Sequence, residues 1–299
     1  MLDETASGVY VIAVTPFQDD GRLDDASADR LVDFYRGCGV TGVTILGIMG
    51  EAPKLDTDEA IGFSRRVIGR SGKLPVIVGV SAPGFAAMRA LARNVMDAGA
   101  AGVMIAPPGT VRTDDQIIAY FAQAVEAIGT DVPFAMQDYP QASGVMMAPS
   151  TIRRIVEAHS SCVVLKHEDW PGLEKLTAVR RLIAEGAMRR VSILAGNGGV
   201  FLDFEMERGA DGAMTGYAFP DMLVDLVRLQ KAGERDHAHD LRRPPAADAL
   251  RAAARPRPRR AQAHPQAARR HPVRRAAQAG HRAVAHRPRR GGLPPHPPG

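Results

Sequence analysis

Short apolar runs with little polar alternation recur along the first 241 residues, and most are followed by a segment in which apolar residues return every three or four positions. The runs fall at 9–15, 42–46, 76–79, 103–106, 133–137, 163–166, 191–195 and 213–215, and each is rich in Val, Ile, Met or small residues. A strand that alternates apolar and polar residues keeps one wet face; one that does not is covered on both faces, as in a parallel sheet flanked by helices. The intervening segments, for example 26–36, 57–69, 86–98 and 115–128, carry an apolar stripe, several with Asp, Ser or Thr before it and several with Gly after it. Gly ends a helix readily because it tolerates positive φ. A strand-then-helix unit repeated eight times has the size of a barrel, whereas a doubly wound sheet would show five or six strands and a Gly-rich first turn. The pattern predicts an α/β fold, a (β/α)8 TIM barrel, over residues 1–241.

Past that point the pattern stops. Residues 242–299 hold 15 Arg, 11 Pro, 5 His and one acid, Asp248, with no Lys, Ile, Phe, Tyr, Trp or Met. The whole chain has 38 Lys and Arg against 33 Asp and Glu, a net charge of +5, so the part before the tail carries about −9. Blocks of Arg and Pro cannot bury a core, and the tail is expected to lack a regular fold. Two origins stand for it. A basic tail would bind polyanions such as nucleic acid or membrane phosphates, although no aromatic residues are interleaved for base stacking. A frameshift in a GC-rich gene would also yield Arg, Pro, Ala and Gly. Re-reading the back-translated tail in a neighbouring frame permits a segment with helical apolar spacing. The frameshift is the preferred reading, and nucleic-acid binding is accordingly not expected.

Composition narrows the class further. No run of 18 or more apolar residues occurs, and the N-terminus has neither a basic region nor an apolar stretch. The expectation is a cytoplasmic protein with no membrane partner. Cys38 and Cys162 have no spacing that suggests a disulfide or a zinc site and read as small buried hydrophobes.

In a (β/α)8 barrel the chemistry sits at the C-terminal ends of the strands. Of the five lysines before the tail, only Lys166 directly follows a fully apolar strand, Cys162-Val163-Val164-Leu165. Desolvation there favours the neutral amine that attacks a carbonyl to form a Schiff base. The plainer alternative is a surface lysine just past the strand, paired with Glu168 or Asp169. Glu168 shares the parity of Lys166 if the strand continues, while His167 points to the other side and reads as a packing residue. Gln137 ends strand five, and Tyr139, beside Pro140, reads as a rim residue that could swing inward. Gly196, Asn197 and Thr215 end strands seven and eight, where many barrels hold a phosphate, although tight turns explain the glycines as well. Glu51 reads as a cap for the helix after strand two.

Several of these segments together resemble the dihydrodipicolinate synthase and N-acetylneuraminate lyase family of class I, Schiff-base-forming barrel lyases. Thr15-Pro16-Phe17 is similar to the family's T-P-F, Gly47-Ile48-Met49-Gly50-Glu51 to its G-[TS]-T-G-E, and Val164-Leu165-Lys166 to its G-[IV]-K strand. Gly196 and Asp211-Gly212 match later glycine landmarks, and the resemblance runs from about residue 8 to about 241. It implies that Lys166 forms an imine with a 2-oxo acid such as pyruvate, without metal or cofactor, for aldol cleavage, condensation or dehydration.

The departures bear on substrate. The two hydroxyls of the family's G-[TS]-T-G-E are replaced by Ile48 and Met49, leaving backbone N–H groups around Met49 and Gly50 to hold a carboxylate. The family's strand-five tyrosine falls on Gln137, which donates hydrogen bonds but does not titrate. The synthase's arginine falls on Ala142, and its strand-four tyrosines on Pro108 and Gly109. These losses argue against dihydrodipicolinate as the product. The resemblance therefore implies Lys166, Gln137, Glu168 and Tyr139 as catalytic candidates and Ile48, Met49, Gly50, Gly196, Asn197 and Thr215 as substrate contacts. It also implies a homo-oligomer, tetramer or dimer, if the C-terminus were intact. Two alternatives stay open: a catalytically weakened member that binds a 2-oxo or sugar acid, and a polyanion-binding protein acting through a genuine basic tail.

Overall fold

The computed structural model of the chain describes residues 1–170 and 172–234; the tail discussed above lies outside the described residues. In chain order the elements are β1 (Gly8–Ile12), α1 (Asp25–Gly37), β2 (Gly42–Ile45), α2 (Thr57–Ser71), β3 (Val76–Gly79), α3 (Phe85–Asp97), β4 (Gly102–Ile105), α4 (Asp114–Ile128), β5 (Phe134–Asp138), α5 (Pro140–Ser143), α6 (Pro149–Ala158), β6 (Cys162–His167), α7 (Leu173–Ala184), β7 (Ser192–Ala195), α8 (Leu202–Glu207), β8 (Gly212–Thr215) and α9 (Pro220–Lys231). The strands close in the order β1 to β8, each parallel to its neighbours, so the fold is the (β/α)8 TIM barrel that the sequence predicts.

The helices start where the chain supplies caps. Asp24 accepts from the Ser27 N–H at α1, and reciprocal capping boxes pair Asp56 with Glu59 at α2 and Thr113 with Gln116 at α4. Two apolar layers result. Val11, Ile45, Val78, Ile105, Met136, Leu165 and Ile193 face the helices, while Tyr10, Ile12, Ile77, Met104, Ala135, Val164, Leu194 and Met214 fill the barrel interior.

One irregularity decides which side chains reach the barrel mouth. Phe134 pairs with Cys162, but Ala135 pairs with Val164, so a bulge places one extra residue on β6. Val163 and Val164 both belong to the interior layer. Alternation resumes after them and brings Lys166 level with Gln137 on the inner face, with His167 level with Asp138 on the outer one.

Boundaries moved where backbone partners run out or continue. The first strand was expected to reach residue 15 but stops at Ile12, although the Ala13 N–H still donates to the Thr44 carbonyl; Pro16 then has no N–H to offer. Strands β5 and β6 each continue one residue further than expected, to Asp138 and His167. Cys162 is fully buried and burial pushes its thiol up to about 12, whereas Cys38 is only partly covered. Among the described residues no helix is long and apolar enough to cross a membrane.

Candidate active site

Lys166 is buried at the end of β6, and its Nζ lies 2.9 Å from Glu168 Oε2. The same oxygen accepts a hydrogen bond from Gln137 Nε2 at 2.6 Å. Lys166 and Glu168 are only 3% and 6% exposed, so the surface-lysine alternative fails although its pairing with Glu168 is present. A buried ion pair of this kind stands only when its remaining hydrogen-bonding capacity is met, and Gln137 meets part of it.

Glu168 is held from several sides. Its N–H donates to the Asp138 carbonyl at 2.9 Å, continuing the β5–β6 ladder one residue past the strand and keeping the parity that aims it inward. Its carbonyl accepts from Asn197 Nδ2 at 2.8 Å. Its side chain runs so close to Gly196 that a Cβ there would lie 2.0 Å from Glu168 Cγ. That contact is the reason glycine is needed at 196.

The outer-facing residues form a separate cluster. Asp138 Oδ2 pairs with Lys175 Nζ at 2.9 Å and lies 3.7 Å from His167 Nδ1, and Lys175 also reaches Asp169 Oδ2 at 2.7 Å. His167 Nε2 is 3.0 Å from the Gly172 carbonyl. Neither His167 nor Asp169 approaches Lys166 as a partner.

Above Lys166, Glu168 and Gln137 opens a cavity of about 280 Å³, walled by Tyr139, Asn197 and Thr215 and rimmed by Ile48, Met49 and Trp170. Thr215 Oγ1 accepts from the Gly198 N–H at 2.7 Å. A smaller space of about 100 Å³ adjoins it between Ile48, Ala106, Gln137, Tyr139, Ala142 and Ser143. Gly50 and Gly196 are not among the lining residues; they act beneath the wall. The Gly50 carbonyl accepts from Thr15 Oγ1 at 2.6 Å, which anchors the turn after β2. That turn is bracketed by two non-glycine residues in left-handed conformation, Leu46 (φ 53°) and Glu51 (φ 52°). Among the described residues nothing accepts from the N–H of Met49 or Gly50. Glu51 stands at the start of a single 3-10 turn, Ala52–Lys54, and pairs with Lys54.

The site thus gathers Lys166, Glu168, Gln137 and Tyr139 with Ile48, Met49, Asn197 and Thr215 around one opening. Sequence reasoning missed Trp170 and Ile12, which also line it. Trp170 could have been found: it is the chain's single tryptophan and stands four residues past Lys166. Its ring packs on Phe201 with centroids 4.6 Å apart.

A buried lysine and carboxylate at the C-terminal mouth of a parallel barrel agree with what the chain is similar to. Residues 5–249 match the dihydrodipicolinate synthetase family. The L-2-keto-3-deoxyarabonate dehydratase of Azospirillum brasilense is 31% identical over 237 residues, 78% of this chain and 75% of that one. The 4-hydroxy-tetrahydrodipicolinate synthase of Anaplasma marginale is 29% identical over 230 residues, 76% and 74% of the two chains. Among solved structures, a dihydrodipicolinate synthase from Rhodopseudomonas palustris superposes with a TM-score of 0.79 at 64% identity, covering 80% of each chain. Fold, sequence and the extent of the match agree: the chain belongs to the dihydrodipicolinate synthetase family, whose members are lyases, aldolases and dehydratases that act through a Schiff base.

Proposed function

We propose that the chain is a class I lyase of 2-oxo acids that works through an imine on Lys166, with Glu168 carrying the protons. The observation that supports it is the 2.9 Å approach of Lys166 Nζ to Glu168 Oε2, buried at the floor of the cavity. Attack on a ketone needs an unprotonated amine, and the nearest acceptor for the ammonium proton is that carboxylate. The proton then serves the carbinolamine oxygen as it leaves as water. The enamine that follows draws on the same carboxyl group, which fills the place of the tyrosine that Gln137 has displaced. Gln137 holds Glu168 in position through its amide. Tyr139 stands on the wall as a hydroxyl donor to the substrate. The N–H of Met49, in the turn that Gly50 supports from beneath, binds the substrate carboxylate, and Asn197 and Thr215 shape the opposite side.

Dihydrodipicolinate chemistry is not part of this reading. Condensation with a second carboxylate-bearing substrate needs a cation for it, and among the described residues lining either cavity the only cationic side chain is Lys166. Aldol cleavage and dehydration of a 2-oxo acid need no second cation.

Borohydride trapping tests the proposal. Reduction in the presence of pyruvate should fix a pyruvate adduct on the peptide containing Lys166, and Lys166→Arg should abolish it. Removing the lysine side chain outright would leave Glu168 unpaired at about 3–5 kcal/mol, so arginine, which keeps the ion pair, is the fair comparison. A folded wild-type chain that takes no label would show a binding protein in place of an enzyme. Label at another lysine would overturn the assignment.

A further inference from the structure

Three large apolar side chains ring the opening over Lys166: Ile48 is 57% exposed, Met49 46% and Trp170 51%. Single exposed apolar residues are ordinary, but several around one concave opening mark a surface kept for a ligand. Two of them are propped in place. Trp170 rests on Phe201, and Met49 crosses Gly216 so closely that a Cβ there would lie 2.0 Å from its sulfur. Ile48 and Tyr139 line both this cavity and the smaller one, whose remaining wall includes Ala106 and Ala142.

The two side-chain amides of the cavity and Thr215 already have hydrogen-bond partners, which leaves Tyr139 as the hydroxyl that faces a substrate. The Gln137 amide donates to Glu168, the Asn197 amide donates to the Glu168 carbonyl, and Thr215 accepts from the Gly198 N–H. A polyhydroxylated substrate tail would have to bury hydroxyls against these groups or against apolar carbon, and unmatched buried hydroxyls are strongly disfavoured. A tail ending in carboxylate would meet Glu168 and, among the described lining residues, no cation other than the Lys166 iminium already bound to C2.

We infer that the site selects 2-oxo acids whose far end is a flat apolar group, an aryl ring foremost. This rests on the imine reading: the carboxylate lies at the Met49–Gly50 turn, C2 is bound to Lys166, and the ring reaches past Ile48 toward Tyr139 and Ala142. For a 4-aryl-4-hydroxy-2-oxobutanoate the reaction balances as follows. The imine forms with release of water. The C3–C4 bond then breaks, its electron pair entering the enamine while the C4 hydroxyl proton passes to Glu168, and the aryl aldehyde leaves. That proton returns to C3, and water hydrolyses the imine to pyruvate and free Lys166.

The single tryptophan makes occupancy directly visible, since Trp170 lines the cavity. Fluorescence titration should compare 2-oxo-4-phenylbutanoate, which lacks the C4 hydroxyl and is not cleaved, with 2-keto-3-deoxyarabonate, alongside borohydride labelling with pyruvate. The expected result is label on Lys166, binding of the aryl acid at least about tenfold tighter, and a ratio near one in Ile48→Asn. Label with equal or reversed preference would overturn the aryl assignment and leave the imine standing. Absence of label with the aryl preference retained would overturn the imine and keep the apolar subsite. Absence of both would overturn the two together.

Discussion

At the scale of single residues, the proposed chemistry turns on Glu168. It is six per cent exposed, shares one oxygen between Lys166 and Gln137, and is the carboxylate placed to take the lysine's proton. Glu168→Gln keeps the shape and removes the proton acceptor. Turnover on a confirmed 2-oxo acid, and the rate of pyruvate trapping, should fall by roughly 10²- to 10⁴-fold, the span that one general acid or base contributes. If Glu168 served packing alone, the melting temperature would drop while the rate per folded molecule stayed near that of the wild type. The sequence made Lys166 legible because a lone lysine closing an apolar strand is unusual, and it made the parity of Glu168 legible on the condition that the strand continued. The role of Gln137 as the holder of Glu168 was hidden, since a hydrogen bond between β5 and β6 depends on their register. Trp170 was overlooked because it lies in the loop after the strand, where no periodicity says which way a side chain turns.

At the scale of elements, the eight strands were readable because burial on both faces leaves continuous apolar runs, and the long amphipathic helices because their stripes repeat over several turns. The short α5 (Pro140–Ser143) and α8 (Leu202–Glu207) were not, since so few residues carry no stripe. The glycine after β7 was noted only as a turn residue or substrate contact; its close approach to Glu168 appears only when β6 and β7 lie side by side. Gly196→Ala should therefore act on chemistry before stability. The new Cβ, 2.0 Å from Glu168 Cγ, must push the carboxylate off Lys166, with an overpacking cost of about 1–3 kcal/mol. A fitting control is Gly62→Ala inside α2, where a Cβ meets nothing within 4 Å. That change should stabilise the chain by about 0.5–1 kcal/mol with unchanged labelling. Thermal melting and the trapping rate, measured on both variants, check the pair; equal trapping in Gly196→Ala would show that Glu168 is not held where the site needs it.

At the scale of the whole molecule, the charge is divided between an acidic body and a basic tail, and the family match ends at residue 249. We hold to the frameshift as the origin of residues 242–299, which a direct comparison tests. Phe219 is 61% exposed and Val200 46%, both beyond β7. Covering one such side chain is worth on the order of 1.5–3 kcal/mol. A chain whose tail is re-read in the neighbouring frame should melt at a higher temperature than the chain as written. Equal melting and equal size in solution would sink the frameshift, and salt-sensitive binding of nucleic acid by the written chain would favour a genuine basic tail.

The bulge between β5 and β6 has a bearing on how such chains diverge. Counted by simple alternation from Cys162, which faces the helices, Lys166 would face the helices too; the extra residue at Val163 reverses that assignment. The feature that turns the lysine to the cavity thus lies three positions upstream of it, in a segment that does not line the cavity. Straightening the bulge into regular pairing, with all six residues of β6 kept, would leave every site residue unchanged in identity and present Leu165 and His167 to the mouth instead. A descendant altered in this way would keep each recognisable motif intact, and only the pairing of the sixth strand with the fifth would betray it.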